Sequence, residues 1–185
     1  IGMPRLDELF DNNYIIKQRE SLFNKYPYLK DKKIILYAPT FRGDIYKGFS
    51  AIDFNASKLL NELDDNYILL YKYHPLLGNI ELEKHDRVYN MNHEDTHALF
   101  TISDYLISDY SSIVFDYSIL EKPLLFYVPD YNDYKSSRGC FVDLESLQCP
   151  LCYNTDELIH HIKLNDHSGS LYMKELFFDY KDSFS

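Results

Sequence analysis

Residues 105–128 read YLISDYSSIVFDYSILEKPLLFYV, and this stretch decides the class of fold. Its first part, Tyr105–Ser108, and its last part, Pro123–Val128, are short apolar runs typical of buried strands. The segment between them, Ser111–Leu120, is predicted to form a helix. A strand, a helix and a second strand in succession predict two parallel strands joined by a right-handed crossover.

The same alternation extends on both sides of this stretch. Further strands are predicted at Lys33–Ala38, at Tyr67–Tyr73 and around Val88, with helices at Asp7–Tyr26, Asn55–Leu63, Asn92–Ile102, Asn154–Lys163 and Ser170–Tyr180, and a loop over residues 40–53. Strands that alternate with helices are typical of a Rossmann-like parallel sheet with flanking helices. The predicted fold class is therefore α/β.

Composition narrows the range of partners. The 185 residues carry a formal net charge of −10, which argues against an extended nucleic-acid surface, because such a surface needs clustered lysine and arginine. No run of 18 apolar residues occurs, so no transmembrane segment is predicted. Three cysteines are too few for a disulfide scaffold, which fits a reducing cytoplasm. An anion site here must be local.

Polar residues follow three of the predicted strands. They are Thr40 and Arg42 after the first strand, His74 and Pro75 after the second, and the segment Asp109–Ser112 after Tyr105–Ser108. Ligands of parallel α/β sheets bind at the carboxyl ends of the strands. We therefore expect these three segments to meet in one cleft.

Each of these residues has an alternative role. Ser111 and Ser112 open a helix, where N–H groups and hydroxyls suit a phosphate, although Ser111 could simply cap the helix. His74 could bind a phosphate oxygen or transfer a proton, or it could only end its strand. Arg42 and Arg138 stand in glycine-containing loops and could clamp phosphate, or could be solvated surface charges.

Two short motifs imitate metal or redox sites. His93-Glu-Asp-Thr-His97 matches the zinc-protease pattern, but it begins where the helix is predicted to begin and lacks a clear third ligand. Cys149-Pro-Leu-Cys152 is not placed between an early strand and a helix, as a redox motif would be. We predict no metal and no cofactor.

An ordered set of motifs resembles the CDP-glycerol glycerophosphotransferase family, which comprises teichoic acid polymerases and related capsule enzymes. The motifs are Ala38-Pro-Thr-Phe-Arg42, Tyr73-His-Pro75, Leu106-Ile-Ser-Asp-Tyr-Ser-Ser112, Phe115-Asp-Tyr117, Lys122-Pro123, Arg138-Gly139 and Phe141–Asp143. The likeness covers residues 1 to about 160. The ordered set is far more specific than any single motif.

The resemblance implies the C-terminal half of a two-domain GT-B transferase. Residues 1–25 would be a linker and first helix, because Ile1–Asp7 resembles the family's G-x-P-R-x-D segment, and residues 26–185 would bind the CDP-activated donor. A second catalytic histidine and the acceptor surface would belong to an N-terminal domain absent from this chain.

The resemblance also implies a reaction, the transfer of glycerol phosphate or ribitol phosphate to a growing teichoic acid or capsule polymer without a bound metal. His74 would be catalytic, and the donor would contact Thr40, Arg42, His74, Pro75, Asp109, Ser111, Ser112, Asp116 and Arg138. Such an enzyme would be cytoplasmic and peripheral at the inner membrane face.

Two other classes of function remain open from the sequence. One is half of a GT-B sugar-nucleotide glycosyltransferase or epimerase, and the other is a nucleotide-binding module without catalysis. Paired serines and His74 suit a pyrophosphate in all three, whereas the order of the motifs favours the polyol-phosphate transferase.

Overall fold

The main sheet of the protein is built from strands that are apolar on both faces. The computed structural model describes residues 6–44, 48–50, 52–74, 82–137 and 143–178. Its strands are β1 (Lys33–Tyr37), β2 (Arg42–Asp44), β3 (Gly48–Ser50), β4 (Tyr67–Tyr71), β5 (Val88–Asn90), β6 (Tyr105–Ser108), β7 (Leu124–Tyr127) and β8 (Leu151–Cys152). Its α-helices are α1 (Asp7–Phe10), α2 (Asn12–Lys25), α3 (Ala56–Asn61), α4 (Thr96–Ile102), α5 (Ile113–Ser118), α6 (Tyr131–Ser137), α7 (Thr155–Leu164) and α8 (Ser168–Phe177).

Within the described ranges, six strands form one parallel sheet in the order β5-β4-β1-β6-β7-β8. The chain winds outward from β1 in one direction through β4 and β5, and then returns to β6 on the other side of β1. The strand order therefore reverses between β1 and β6. In doubly wound sheets the crevice at this switch point is where ligands bind. The predicted α/β Rossmann-like class is confirmed.

Neighbouring residues along each strand point to opposite faces, so the sheet has two cores. Ile34 and Leu36 pack in a core with residues of α1, α2, α4, α5 and α8, while Ile35 and Tyr37 pack in a second core with α3 and α7. Both faces are covered, which explains why the strands read as continuous apolar runs rather than as alternating ones.

Side-chain caps set several helix ends, and two of them correct the predicted boundaries. Asp11 accepts a hydrogen bond from Asn13 N–H and starts a new helix, so Asp7–Tyr26 is two helices rather than one. Asp95 likewise caps Ala98 N–H, so α4 begins at Thr96 and not at Asn92. A short polar side chain that bonds to the backbone competes with the continuing helix.

The predicted loop at residues 40–53 contains a hairpin. Strands β2 and β3 pair antiparallel, and Gly43 has φ of 89°, a left-handed conformation that glycine adopts without a steric penalty. Helix α6 and strand β8 were also not predicted, because both lie in the region after Val128 where the apolar pattern is weak.

Candidate functional site

A pocket of about 420 Å³ lies at the switch point of the sheet. Three chain segments line it, each leaving the carboxyl end of a strand: residues 38–41 after β1, residues 72–74 after β4, and residues 110–111 after β6. Thr96 and Ile113, from the first turns of α4 and α5, complete the lining among the described residues. Thr40, His74 and Ser111, one residue from each of the three polar segments, line this one pocket.

His74 lies on the pocket wall and is exposed to solvent. The backbone of its segment is fixed from two sides, since Lys72 N–H donates to Tyr37 O at 3.0 Å and Tyr73 N–H donates to Asn92 Oδ1 at 2.7 Å. The Phe41 ring lies against the imidazole with 5.1 Å between ring centroids. An exposed imidazole on a fixed backbone can reach a ligand in the pocket. Pro75 lies outside the described residues.

The two serines occupy different positions. Ser111 lines the pocket, and within the described residues its Oγ accepts one long hydrogen bond, 3.5 Å, from Ile113 N–H. Ser112 is the N-cap residue of α5 and is exposed, and its side chain makes no capping hydrogen bond to the described part of the chain. Ser112 therefore holds the N-cap position of α5, while the long side-chain hydrogen bond to the first turn is accepted by Ser111, which also lines the pocket.

Asp109 is buried behind the pocket, with 1% of its surface exposed. Its Oδ1 accepts hydrogen bonds from the backbone N–H and the hydroxyl of Thr40, at 2.8 and 2.7 Å. Burial raises the pKa of Asp109, and the charge of Arg42 and the bonds from Thr40 oppose that rise. The carboxylate thus ties the segment after β6 to the segment after β1.

Arg42 forms ion pairs with two carboxylates. Its Nε and Nη2 donate to Asp130 at 2.7 and 3.2 Å, while Nη1 donates to Thr40 O at 2.7 Å and pairs with Asp109 Oδ2 at 2.9 Å. These carboxylates raise the pKa of Arg42 although burial acts in the opposite direction. We refer to Arg42, Asp109 and Asp130 as the Arg42 cluster. Arg138, the second predicted arginine, lies outside the described residues.

Two stacked tyrosines flank the Arg42 cluster. The rings of Tyr110 and Tyr134 are 3.6 Å apart and nearly parallel, and the Arg42 guanidinium lies 5.1 and 5.2 Å from their centres. The Tyr110 hydroxyl donates to Asp130 at 3.1 Å. Tyr110 also lines the pocket, so the cluster supports the pocket wall from behind.

The structure places Asp116 against His97 rather than in the lining of the pocket, as far as the described residues show. His97 Nε2 lies 3.3 Å from Asp116 Oδ2, and His97 Nδ1 lies 2.7 Å from Glu8 Oε1. The hydrogen bond with Asp116, followed by the one with Glu8, raises the pKa of His97 against the effect of burial. This bridge joins α1, α4 and α5 outside the pocket.

The zinc-protease pattern is not built on one helix. His93 precedes α4 and contacts the Tyr26 hydroxyl at 2.8 Å, while His97 lies inside α4. Over the described ranges, no group of three or more His, Cys, Asp or Glu residues has the geometry to hold a metal ion.

The C-x-x-C pair is packed in the core. Burial raises the pKa of both Cys149 and Cys152 to about 12, so neither is a thiolate near neutral pH. A Cβ added at Gly169 would lie 2.5 Å from Cys149 Sγ, which shows how closely α8 packs on this thiol. Cys140 lies outside the described residues.

Sequence reasoning missed Lys72, which lines the pocket two residues before His74. Its ammonium group donates to Asn92 O at 2.8 Å, and burial lowers its pKa, opposed by the charges of Asp95 and Glu94. The signal was present, because Lys72 directly follows β4 at the edge of the sheet where ligands bind.

The fold and the pocket define a Rossmann-like domain with an anion-suited crevice at its switch point. The family described as CDP-Glycerol:Poly(glycerophosphate) glycerophosphotransferase matches residues 1–184. The chain belongs to this family, whose relatives are transferase enzymes. In the described part of the chain, no helix is long and apolar enough to cross a membrane.

Relatives of known function are teichoic acid enzymes. The teichoic acid poly(ribitol-phosphate) polymerase of Bacillus spizizenii is 38% identical over 171 residues, which are 88% of this chain and 27% of that protein. The teichoic acid poly(glycerol phosphate) polymerase of the same organism is 39% identical over 173 residues, 87% of this chain and 43% of that protein. The chain therefore spans less than half of the length of these relatives.

A solved structure shows the same fold. The wall teichoic acid polymerase TagF, as a variant soaked with CDPG, superposes with a TM-score of 0.77 at 32% identity, covering 95% of this chain and 45% of that one. TagF is a GT-B enzyme, so the predicted relation of this domain to half of a GT-B fold is confirmed.

Proposed function

We propose that this chain is the donor-binding domain of an enzyme that transfers a polyol phosphate from a CDP-activated donor to a growing teichoic acid or capsule polymer. The observation that carries the proposal is the pocket at the switch point, which is lined by His74 and Ser111 on segments leaving β4 and β6. Family membership and the likeness to TagF soaked with CDPG support the choice of donor.

The reaction makes specific demands on such a pocket. An acceptor hydroxyl forms a new bond to the phosphorus that carries the polyol, the bond from that phosphorus to the bridging oxygen breaks, and CMP leaves. The proton of the acceptor hydroxyl passes to a base, which the family resemblance assigns to the other half of the fold. Catalysis of phosphoryl transfer relies on positioning and on stabilising charge at the phosphate oxygens.

The polar groups on the pocket wall suit this task. The His74 imidazole and the Ser111 and Thr40 hydroxyls can donate hydrogen bonds to phosphate oxygens. No aspartate or glutamate occurs among the described lining residues, whereas Mg²⁺ sites in proteins use carboxylate oxygens. The donor set of the described lining supports charge stabilisation by protein groups.

The proposal extends to the organisation and location of the enzyme. Residues 26–185 would hold the donor, residues 1–25 would lead into the domain, and an N-terminal domain would supply the acceptor surface. The family resemblance implies a CDP-activated donor and a polymer or lipid-linked acceptor. We therefore infer a peripheral position on the inner face of the membrane.

Titration calorimetry with a ligand panel tests the proposal. CDP-glycerol, CDP-ribitol, CMP and matched UDP-sugars would be added to the purified chain. We expect weak binding of the cytidine compounds, little binding of the uridine compounds, and no transfer by this chain alone, because the proposed acceptor surface would belong to an N-terminal domain. Preference for a UDP-sugar over CDP-glycerol would refute the proposal.

A further inference from the structure

The charge of the Arg42 cluster bears on which cation neutralises the donor pyrophosphate. The cluster combines one guanidinium with two carboxylates, and with both carboxylates ionised its formal charge is −1. The guanidinium is also engaged by Thr40 O and by the carboxylate oxygens of both partners. Arg42 is therefore poorly placed to neutralise the charge of a bound pyrophosphate. Another cationic group of the pocket would have to do so.

Lys72 is the only lysine or arginine among the described residues that line this pocket. Its Nζ donates to Asn92 O at 2.8 Å, and the same asparagine accepts from Tyr73 N–H through its Oδ1 at 2.7 Å. Asn92 thus fixes both the Lys72 ammonium group and the backbone of Tyr73. An ammonium group has three N–H donors, so one bond to Asn92 O leaves two for a ligand.

The surroundings of Lys72 favour an anionic ligand. The side chain is partly buried, and burial lowers the pKa of Lys72 because the ammonium is partly removed from water. A phosphate oxygen placed beside it would replace the missing water. His74 and Ser111, on the same wall, would bind other oxygens of the same group.

We propose that the Lys72 ammonium is a cationic contact for the donor pyrophosphate, while Arg42 builds the wall behind the pocket. This inference takes the identity of the donor, a CDP-activated polyol phosphate, from the proposed function. The contact between Lys72 and a pyrophosphate group does not depend on which nucleotide carries that group. Lysine acts as a point charge toward phosphate and needs no bidentate geometry, so one ammonium group with a fixed position is sufficient to bind a phosphate oxygen.

The test compares Lys72→Met, Lys72→Arg and the wild-type chain, with Lys58→Met as the matched control. Lys58 is an exposed lysine of α3 that pairs with Asp156 at 2.7 Å, and it is not among the residues that line the pocket. The ligands are cytidine, CMP, CDP and inorganic pyrophosphate, measured by NMR titration so that weak binding is quantified. Thermal unfolding of each variant is recorded in parallel.

We expect Lys72→Met to weaken binding of CDP and pyrophosphate by about 10- to 100-fold, the range for a charge-assisted hydrogen bond. Cytidine, which carries no phosphate, should bind within about twofold of wild type, since it lacks the group that the ammonium would contact. Lys72→Arg should recover most of the loss, and Lys58→Met should behave as wild type.

Other outcomes separate the two proposals. An equal loss for cytidine and CDP would show that Lys72 only holds Asn92, and unchanged pyrophosphate binding would exclude the contact, so either result overturns the inference. A wild-type chain that binds pyrophosphate through Lys72 but prefers uridine compounds would overturn the proposed donor and leave the lysine contact standing.

Discussion

The wall behind the pocket and the wall facing it use the same kinds of residue in opposite ways. Behind it, Arg42 forms ion pairs with both Asp109 and Asp130. Facing it, His74 is exposed and Ser111 makes one long hydrogen bond through its hydroxyl. Polar groups at the carboxyl ends of strands therefore fall into two sets. The first set ties the segments of the crevice together, and the second set lines the pocket where a ligand would bind.

The largest expected effect tests the first set. Arg42→Met removes the cation that pairs with Asp109, which is 1% exposed, and leaves its carboxylate buried without a counter-charge. We expect a loss of about 3–5 kcal/mol in the free energy of unfolding, measured by urea titration. The double variant Arg42→Met/Asp109→Asn should recover part of that loss, because it also removes the buried charge.

Lys58→Met serves as the control for this comparison, since Lys58 and Asp156 form an exposed ion pair. It should change the free energy of unfolding by less than about 1 kcal/mol. If Arg42→Met kept wild-type stability but lost pyrophosphate binding, Arg42 would belong to the ligand-binding set and the division between the two walls would fail.

The second prediction concerns His74. In a polypeptide that carries both halves of the fold, His74→Ala should lower kcat/KM by roughly 10²-fold or more, the scale for a positioned acid or oxyanion donor. Folding should be little affected, by about 1 kcal/mol or less, because the imidazole is exposed. His160→Ala, which removes an exposed imidazole from α7, is the matched control. Near-normal rates in His74→Ala, or activity lost only through unfolding, would exclude His74 from the active site.

Substitution of the two serines should change kcat/KM less than substitution of His74, and the two serine variants can be compared directly with each other. Ser111→Ala removes a hydroxyl from the pocket wall and should lower kcat/KM on the order of 10-fold, because the backbone N–H groups at the start of α5 remain. Ser112→Ala removes an exposed hydroxyl that is not among the described lining residues, so its effect should be smaller than that of Ser111→Ala. Steady-state rates of the two variants decide the order. Equal effects would show that both hydroxyls reach the ligand.

The sequence was sufficient for the sheet and for much of the site. Continuous apolar runs such as Ile34–Tyr37 identify buried parallel strands, and the residues that follow them must meet at one edge of the sheet. That rule alone brought Thr40, His74 and Ser111 together. The rule does not predict which group each charged side chain pairs with. Whether Arg42 faces a ligand or Asp130, which is 88 residues later in the chain, depends on tertiary packing.

The predicted helix boundaries were wrong for a related reason. The predicted start at Asn92 followed the local polar run, but Asp95 caps the helix three residues later. The sequence pattern predicts a loop where the hairpin β2–β3 forms, because its strands have only three residues each and contain glycine and serine. Such short pairs are stabilised by their contacts with the rest of the fold, and carry little periodic signal.

The smallest expected effect concerns a bonded group outside the pocket, and it extends the comparison to a third region. His97 bridges Glu8 and Asp116, and its pKa is raised chiefly by the hydrogen bond with Asp116. A raised folded-state pKa contributes stability that is fully present below the unfolded value, about 6.5, and is lost as the pH rises through the folded value. Tyr14, beside Glu8, has a pKa raised to about 12 by burial, so it does not titrate in that range.

Wild-type chain should therefore lose stability between about pH 6 and pH 8.5 relative to His97→Gln, which keeps a hydrogen-bonding side chain but cannot be protonated. Urea midpoints of the two proteins at both pH values measure the effect, and groups shared by both proteins cancel in the difference. Donor binding should be the same in both proteins at each pH, because neither His97 nor Asp116 is among the described residues that line the pocket. A pH-independent difference in midpoint would show that the bridge is not an ion pair in the folded protein. Weaker CDP binding by His97→Gln without a loss of stability would instead place Asp116 among the donor contacts, as the family resemblance implies, and would move this network from the first set to the second.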